Sequence, residues 1–250
     1  GVYTTDPRIV PSARKLDDIS YEEMLELAAS GAGVLQMRAV EFARHFNVII
    51  ECRSAFTDEP GTIVKEVNDK MESAIISGIA FDNSEAKVTI RDVPDRVGIA
   101  AKVFGTIAEA CCSVDMIVQN ISEDHYTDLT FTTPIQDLPR LEPVLDDLIV
   151  TLGAREYLID ESIVKVSVVG AGMKNNPGIA AKMFQVLADN KVNISLITTS
   201  SIRISVVIDG EKTKQAVQQL HTAFGLDSDK VFEETQLSGE ELAAKMQKGR

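Results

Sequence analysis

The stretch Pro94–Ala110 reads PDRVGIAAKVFGTIAEA, and Asn176–Asn190 reads NPGIAAKMFQVLADN. Both stretches contain the five residues GIAAK, at Gly98–Lys102 and at Gly178–Lys182. In each copy, apolar residues recur at helical spacing directly after the glycine, which indicates a loop followed by the start of a helix. A junction that occurs twice in one chain predicts an internal structural repeat.

Around the two copies, alternating apolar residues and turn signals predict two α+β units with the element order βαββαβ. The first unit spans 85–160. The second unit, 162–228, has no clear final strand, and the strand candidate in 72–82 is predicted to take that position. The first unit would then be inserted into the second. The tail, 229–250, is expected to be a solvated helix or disordered.

The segment 1–65 matches neither unit. Ser20 and Glu23 have the spacing of a capping box, which predicts a helix that ends at Gly31, and a second helix and the short strand NVIIECRSAF follow. The next stretch, 57–73, is interpreted as a polar connector, so the segment has no partner strands. Because so short an αβ piece buries little apolar surface, we expect either the end of a larger domain or a segment that packs on a partner.

Composition excludes several classes of function. The chain has 250 residues, 44% of them hydrophobic and 25% charged, and a formal net charge of −13. This charge repels nucleic acid and anionic lipid, so we expect neither as a partner. No apolar run reaches the roughly 18 residues of a membrane span, and the first residues resemble no secretory signal. We therefore expect a cytoplasmic protein.

The three cysteines and three histidines are too scattered for a metal site, and none is expected. Cys111 and Cys112 are adjacent at a predicted helix end, where a disulfide between neighbours would be strained, so both are expected to pack in the core. His45, His125 and His221 show no nucleophile or ligand pattern and are interpreted as surface or helix residues. The acidic run DLPRLEPVLDD is interpreted as a solvated face.

The two units resemble a pair of ferredoxin-like ACT domains, the small-molecule sensors of amino-acid metabolism. The stretch GVYTTDPRIVPSARKLDDISYEEMLELAASGAGVLQMRAVEFA, from Gly1, resembles the end of the amino-acid kinase domain of aspartokinases. The stretch VGAGMKNNPGIAAKMFQVLADNKVNISLITTSSIRISVVI, from Val169, resembles the second ACT unit of that family. The resemblance covers nearly the whole chain. It implies a regulatory module of two ACT units preceded by a remnant of an amino-acid kinase domain.

Aspartokinases are phosphotransferases with a carboxyl acceptor, which use ATP to convert L-aspartate to 4-phospho-L-aspartate at the first step of lysine, threonine and methionine biosynthesis. The resemblance implies that this chain is the regulatory part of such an enzyme. The KFGG-type phosphate and aspartate site of the family is not found in the sequence, so the chain alone is expected to be inactive. No cofactor is expected in it, and Mg-ATP belongs to the complete enzyme.

The resemblance also implies partners. We expect an amino-acid effector at ACT–ACT interfaces, with threonine as the first candidate and lysine as the second. A homodimer through the ACT domains is expected, with catalytic chains as further partners. The alternative function is a free-standing ACT regulator without kinase activity, although a nucleotide-loop remnant argues against it. An active kinase is a third interpretation and would need a phosphate site.

An amino-acid effector needs backbone N–H groups and a helix N-terminus for its carboxylate, and an oxygen for its ammonium group. Asp95 supplies a carboxylate, Gly98 admits a ligand close to the backbone, and the N–H groups of Gly98–Ala100 are expected to point outward. The alternative is that Asp95 only caps the helix and Gly98 only relieves crowding. The candidates in the two loops are Asp95, Arg96, Val97, Gly98, Ile99 and Ala100, and Ile179 and Ala180.

By the resemblance, two ACT units lie side by side in one continuous sheet, and each loop faces the second strand of the other unit. The expected partners are Asn193 and Ile194 for the first loop, and Ser113, Val114 and Asp115 for Asn175–Ala180. The helix-to-strand stretch of the second copy is interpreted as two residues shorter, which makes Asp115 and Asn193 equivalent. Both are alternatively plain turn residues.

Three further candidates lie on the second strands. Gln119 is a side-chain ligand candidate, with a solvated strand face as the alternative. Ser200 and Ser201 end the corresponding strand of the second unit. Aspartokinases often have TSE where this chain has TSS, which removes a carboxylate partner for a lysine ammonium group.

Tyr3, Asp6 and Arg8 match the nucleotide loop of the family, GVYT-DPR. The resemblance implies that Tyr3 packs near the base and that Arg8 pairs with phosphate oxygens. The alternative for DPR is an ordinary turn. Because the opposing half of the nucleotide site is not in the sequence, this loop is expected to bind no ATP alone.

Overall fold

The structure is a computed structural model that describes residues 1–67, 75–120, 125–176 and 178–228. The predicted tail, 229–250, lies outside these ranges, as does the start of the strand candidate in 72–82. No helix within the described ranges is long and apolar enough to cross a membrane.

The N-terminal segment forms two helices beside a three-stranded sheet. Its elements are β1 (Asp18–Ser20), α1 (Tyr21–Ala29), α2 (Met37–His45), β2 (Ile50–Cys52) and β3 (Thr62–Lys65). The central strand, β3, pairs in parallel with β1 and antiparallel with β2. The capping box at the start of α1 is present as predicted, with Ser20 and Glu23 bonded reciprocally.

The expectation that this segment has no partner strands is wrong. Thr62–Lys65, in the predicted polar connector, forms β3 because Val64 is fully buried against Ile19 and Met24. The core of the segment also includes Ala80 and Val169, which belong to the sheet of the second unit. The segment therefore packs on the second unit of the same chain.

The first unit has two helices on one face of a four-stranded antiparallel sheet. After β4 (Gly78–Asp82), its elements are β5 (Glu85–Pro94), α3 (Ile99–Glu109), β6 (Ile117–Gln119), β7 (Tyr126–Pro134), α4 (Leu138–Leu152) and β8 (Glu156–Asp160). The strand order is β6-β7-β5-β8. Alternate residues of β5 turn inward beneath the helices, and Val88 and Ile90 are fully buried there.

The second unit has the same arrangement, assembled from two separate parts of the chain. Its elements are β9 (Ile163–Val169), α5 (Gly178–Asp189), β10 (Leu196–Thr199), β11 (Arg203–Asp209) and α6 (Thr213–Ala223), together with β4. The strand order is β10-β11-β9-β4, so β4 lies where β8 lies in the first unit. The first unit is inserted between β4 and β9.

The repeat has a constant register from the shared pentapeptide to the end of the second strand. Cys111 and Lys191, which end the two helices and are 80 positions apart (111 and 191), both have positive φ, 56° and 55°. The buried residues Met116 and Leu196 have the same separation. Asn193 is therefore equivalent to Ser113, and the expectation that it matches Asp115 is wrong. The loop before the helix and the connection after the second strand differ in length.

The sheets of the two units are separate among the described strands, so no continuous sheet forms within one chain. The units meet instead through a small apolar cluster in which Met116 and Val118 pack with Ile163, Leu196 and Val207. Within this chain, the second strands of the two units, β6 and β10, therefore lie near each other. The expected contact was between a loop of one unit and the second strand of the other.

A buried lysine joins the units beside this cluster. Lys165 of β9 is 1% exposed, and its ammonium group pairs with the Glu85 carboxylate and, at 2.7 Å, with Asp115 Oδ2. Burial lowers the pKa of Lys165, but hydrogen bonds and charges from Asp115 and Glu85 reverse the effect, so its pKa is raised. The amine stays charged and connects the start of β5 to β9.

We predict that Lys165→Ala lowers the free energy of unfolding by about 3–5 kcal/mol, because it leaves the buried Glu85 carboxylate without a cation. The double variant Lys165→Met, Glu85→Gln should cost clearly less, since no uncompensated buried charge remains. Urea unfolding measures both.

The matched control is Arg155→Ala, which breaks exposed ion pairs with Asp92 and Glu156 at 3.7 and 3.8 Å. Exposed pairs contribute about 0–1 kcal/mol, so this variant should stay near the wild type. A Lys165→Ala variant as stable as the Arg155→Ala control would contradict the role of the buried triad.

Candidate functional site

The first candidate loop, between β5 and α3, is shaped by one left-handed residue. Gly98 precedes the helix with φ of +90°, a conformation that favours glycine, and a Cβ added to it would meet no atom beyond its chain neighbours within 4 Å. The Asp95 N–H donates to His125 O at 2.8 Å, which ties the loop to the strand beside it. Val97 is fully exposed at the tip.

The Asp95 carboxylate lies just before the start of α3 and has no partner among the described residues. No side chain of the described residues caps α3, so the alternative in which Asp95 only caps this helix has no support in the geometry. Within the ranges that the structure describes, the Asp95 side chain makes neither a hydrogen bond nor an ion pair. A free carboxylate beside a helix start suits a zwitterion that carries both charges.

The expectation that the N–H groups of Gly98–Ala100 all point outward is wrong for Ile99. The Ile99 N–H donates to Arg96 O at 3.1 Å, and the Ile99 side chain is buried in the core of the first unit. The N–H of Ala100 lies in the first helical turn, where a helix offers no internal acceptor. The carboxylate of a ligand would therefore have the N–H of Ala100, and not that of Ile99, as a donor.

The turn before β6 is held at Ser113 by a carboxylate that the sequence analysis missed. Asp137 Oδ2 accepts from the Ser113 N–H at 3.0 Å, and Asp137 also pairs with Arg140. The hydrogen bond from Ser113 is the main reason that the pKa of Asp137 is lowered, although burial opposes it. Asp137 is buried, so the interpretation of its acidic run as a solvated face is wrong at this residue.

Asp115 is engaged within the chain. Its Oδ2 accepts from Lys165 Nζ at 2.7 Å, and its backbone N–H donates to Thr132 O at 3.0 Å. This carboxylate therefore compensates the positive charge of Lys165, which belongs to the other unit. Val114, between Ser113 and Asp115, packs partly buried against the core of the first unit.

The second candidate loop is more closed than the first. Ile179 is buried in the core of the second unit, and Ala180 packs partly against that core. The Asn176 side chain donates to Gly172 O at 2.7 Å, and the backbone carbonyl of Asn176 accepts weakly from the Ile179 N–H at 3.4 Å. Pro177 lies outside the described residues. This loop contains no free carboxylate comparable to Asp95 in its sequence.

The candidates on the second strands are not brought to the loops within one chain. Asn193 and Gln119 are exposed, and Ile194 packs on the second core. The hydrogen bonds and ion pairs of the described residues include none between Asp95–Ala100 and Asn193 or Ile194. A second chain would be needed to supply the opposite wall.

Ser200 and Ser201 lie elsewhere, at the turn between β10 and β11. Together with α1 and α2 they line a cavity of about 770 Å³. The Ser200 N–H donates to Arg203 O at 2.7 Å, and Arg203 pairs with Glu26 of α1 at 3.0 Å. This turn therefore contacts the N-terminal segment and is separate from the first loop.

Tyr3, Asp6 and Arg8 come together at a third place. They line a cavity of about 790 Å³ with residues 31–34 and with residues 79–84, which include the end of β4. Arg8 Nη2 donates to Asp6 Oδ2 at 2.7 Å and Arg8 Nε donates to Asp6 Oδ1 at 3.0 Å. These bonds lower the pKa of Asp6. The predicted phosphate-binding arginine is thus paired with its own aspartate.

One residue was placed wrongly by the sequence analysis. Cys111 is exposed, and only Cys112 packs in the core, where burial raises the pKa of its thiol. His221 is a helix residue, one of the two predicted alternatives, and on α6 it is fully buried, with its Nε2 2.9 Å from Thr4 Oγ1. The signal available in the sequence was its place among the apolar positions of α6, beside Val217 and Leu220.

Three family models match successive parts of the chain. The amino acid kinase family matches residues 1–53, and two ACT domain models match residues 88–150 and 166–224. In a crystal structure of aspartokinase alpha and beta subunits, one chain is 40% identical, with 99% of its length and 60% of this chain covered and a TM-score of 0.57. This chain belongs to the aspartokinase family.

Two further aspartokinases extend the comparison to the N-terminal segment. The Mycolicibacterium smegmatis aspartokinase is 52% identical over 233 residues, 92% of this chain and 55% of the relative. The structure of E. coli aspartokinase III in complex with lysine and aspartate is 26% identical, covers 93% of this chain and 50% of that one, and has a TM-score of 0.69. The chain thus spans about half the length of these aspartokinases. The predicted fold class, two ACT units after a kinase-domain remnant, is confirmed.

We predict that His221 makes stability depend on pH below neutrality. Removal from water lowers its pKa, with the charge of Asp227 opposing the shift and that of Arg14 reinforcing it. Below the ordinary value of 6.5, the unfolded chain therefore binds a proton that folded His221 does not. The free energy of unfolding should fall with decreasing pH, by at most about 1.4 kcal/mol per pH unit.

Urea unfolding of the wild type and of His221→Gln between about pH 5 and 7 measures this effect, above the range in which carboxylates titrate. His221→Gln should flatten the dependence, whereas the exposed His45→Gln should leave it unchanged. The same slope in His221→Gln and wild type would rule out His221 as its source.

Proposed function

We propose that this chain is the regulatory region of an aspartokinase and that it binds an amino-acid effector at the loop Asp95–Ala100 of its first ACT unit. The observation that carries the proposal is that the Asp95 carboxylate has no partner among the described residues and lies beside the first turn of α3, which no side chain of these residues caps. The effector's carboxylate would accept from the N–H groups of that turn, and its ammonium group would pair with Asp95.

Threonine is the first candidate effector and lysine the second. A short polar side chain suits an open loop that offers no second carboxylate, whereas a lysine side chain needs an acid for its ammonium group. Asp115 is already paired with Lys165, and Ser201 stands where many aspartokinases have a glutamate. The E. coli relative was solved with lysine, which keeps lysine as the second candidate.

We propose that the effector site is completed by a second copy of this chain through the ACT units. Within one chain the two sheets are separate, Asn193 and Gln119 remain exposed, and Ile194 is only partly buried. Pairing two copies would bring such strands opposite a loop. The match over 99% of one chain in a structure of alpha and beta subunits supports a further association with catalytic chains.

The proposed mechanism is a shift between two arrangements of the assembly. An effector bound at the interface stabilises the arrangement in which the kinase is inactive, with a coupling free energy of about 1–3 kcal/mol. The proposed domains are a kinase-domain remnant at 1–65, the first ACT unit at 85–160 and the second at 72–82 plus 162–228. We place the protein in the cytoplasm.

We predict that threonine raises the free energy of unfolding, by about 2.7 kcal/mol at 100 times its Kd, and that Asp95→Asn weakens its binding about 10- to 100-fold. Thermal unfolding with each of the twenty amino acids identifies the effector. The control is Asp92→Asn, which removes another exposed carboxylate of β5.

A selective shift with lysine would instead make lysine the effector at this site. If no amino acid stabilises the chain, the sensor function is wrong for this chain as it stands. If Asp95→Asn binds the effector as tightly as the Asp92→Asn control, Asp95 has no part in the site.

We also predict that the chain alone has no aspartate kinase activity. The kinase family model matches only residues 1–53, and Arg8, the expected phosphate ligand, is paired with Asp6. An assay for ADP release with aspartate, Mg²⁺ and ATP measures this. Turnover that depends on aspartate would show that these residues suffice for catalysis.

A further inference from the structure

The loop that contains Tyr3, Asp6 and Arg8 is built into the second ACT unit. Val10, just after Arg8, is 4% exposed and lies in the hydrophobic core of that unit with Leu220 and Phe224. Ile9 and Ala13 pack against the same core. We call residues 2–14 the nucleotide loop, in keeping with the resemblance of its sequence.

Polar contacts from one helix fasten the two sides of this loop. The Gln218 side chain of α6 donates to Ile9 O at 2.9 Å. Arg14 Nε donates to Leu226 O, just beyond α6, at 3.0 Å. His221, between these two, meets Thr4 at 2.9 Å in a fully buried contact.

Thr4 connects the two strands of the nucleotide loop to each other and to β4. Its hydroxyl accepts from the Arg14 N–H at 3.0 Å, and its own N–H donates to Arg14 O at 2.8 Å. Its carbonyl accepts from the Ile79 N–H of β4 at 2.7 Å. A displacement of Thr4 would therefore move both strands of the loop, and with them Tyr3 and Asp6 at the cavity.

The same helix is connected to the second candidate effector loop. That loop leads directly into α5, and Lys182 of α5 lies with Nζ 5.6 Å from the ring centre of Phe224, the residue that ends α6. Such a cation–π contact favours one relative position of the two helices. A contiguous series of contacts thus runs from α5 through α6 to the nucleotide loop.

We propose that His221 is a positioning residue for the nucleotide loop and that through it the second ACT unit, whose Asn193 and Ile194 would face the first loop of a second copy, passes effector binding to the nucleotide side of the molecule. The proposal deepens the sensor function above and rests on it for the effector step. The positioning step needs no effector. The two steps can therefore fail separately.

The positioning step is tested by hydrogen–deuterium exchange on the whole chain without ligand. His221→Leu, which keeps the apolar bulk and removes the ring nitrogens, should speed exchange of the amides of Thr4, Ile9 and Val10 at least tenfold. Amides of α3 in the first unit should not change. The matched control is His45→Leu, an exposed histidine on α2, which should leave the loop as in the wild type.

Two variants keep the test decisive if His221→Leu does not fold. Thr4→Val removes the same contact from the loop side, and His221→Gln restores a side chain that can bond to Thr4. Thr4→Val should release the loop as His221→Leu would, and His221→Gln should restore most of the protection. Unchanged loop exchange in Thr4→Val or His221→Leu overturns the proposal.

The effector step is tested with L-threonine and L-lysine as probes. The amino acid that stabilises the wild type should change loop exchange in the wild type at least threefold. In His221→Leu it should still stabilise the chain but leave loop exchange unchanged, which a purely structural histidine would not produce. Stabilisation without any change in the wild-type loop overturns the effector step. No stabilisation by either probe contradicts that step and the sensor function together, and leaves the positioning result to stand by itself.

Discussion

The antiparallel ladder between β4 and β9 determines the arrangement of the rest of the molecule. It pairs Gly78 with Val169 and Asp82 with Lys165, so two strands separated by a whole domain become neighbours. Close backbone approaches at glycines make room for it. A Cβ on Gly31 would lie 2.2 Å from Phe81 O, and one on Gly170 would lie 2.2 Å from Ile75 O. Side chains at these places would separate the N-terminal segment and β9 from β4.

This ladder explains why the two ACT units have different surroundings although their folds repeat. The first unit begins directly after β4 and ends directly before β9, so its first and last strands start and finish at the second sheet. Lys165, on the ladder, then lies close to Glu85 and takes Asp115 as a second partner. Ser195, the residue of the second unit that is equivalent to Asp115, has no such role. Similar backbones thus differ in the charged groups that they carry at equivalent positions.

Much of the fold could be predicted from local patterns. The capping box at Ser20, the repeated helix start at Gly98 and the alternation in β5 each depend on residues a few positions apart. The strand Thr62–Lys65 was missed because it is four residues long and becomes a strand only through Val64, whose burial comes from distant partners. Lys165 could not be anticipated either, since a lysine in a strand reads as exposed unless its carboxylates are known.

The same distinction, between local patterns and contacts with distant partners, separates the site residues that the sequence predicts from those that it does not. The loop Asp95–Ala100 was found because glycine at a left-handed helix start leaves a local signal. Asp137 left none, since it acts on Ser113, from which β6 and β7 separate it in the sequence. The apolar neighbours of His221 on α6 indicated its burial but not its contact with Thr4, which lies across most of the chain. Sequence-distant polar contacts of this kind depend on the finished packing and have no periodicity of their own.

The strength of the contacts between α6 and the nucleotide loop suits a regulated connection. Each intramolecular hydrogen bond contributes about 0.5–1.5 kcal/mol net, so the bonds from Gln218, His221 and Arg14 together supply a few kcal/mol. An effector typically shifts an equilibrium by about 1–3 kcal/mol, which is the same order. Much stronger attachment would hold the loop in one position whatever the effector did, and much weaker attachment would transmit nothing. The buried Thr4–His221 contact is the one least exposed to competition from water, so it has the greatest influence on where the loop lies.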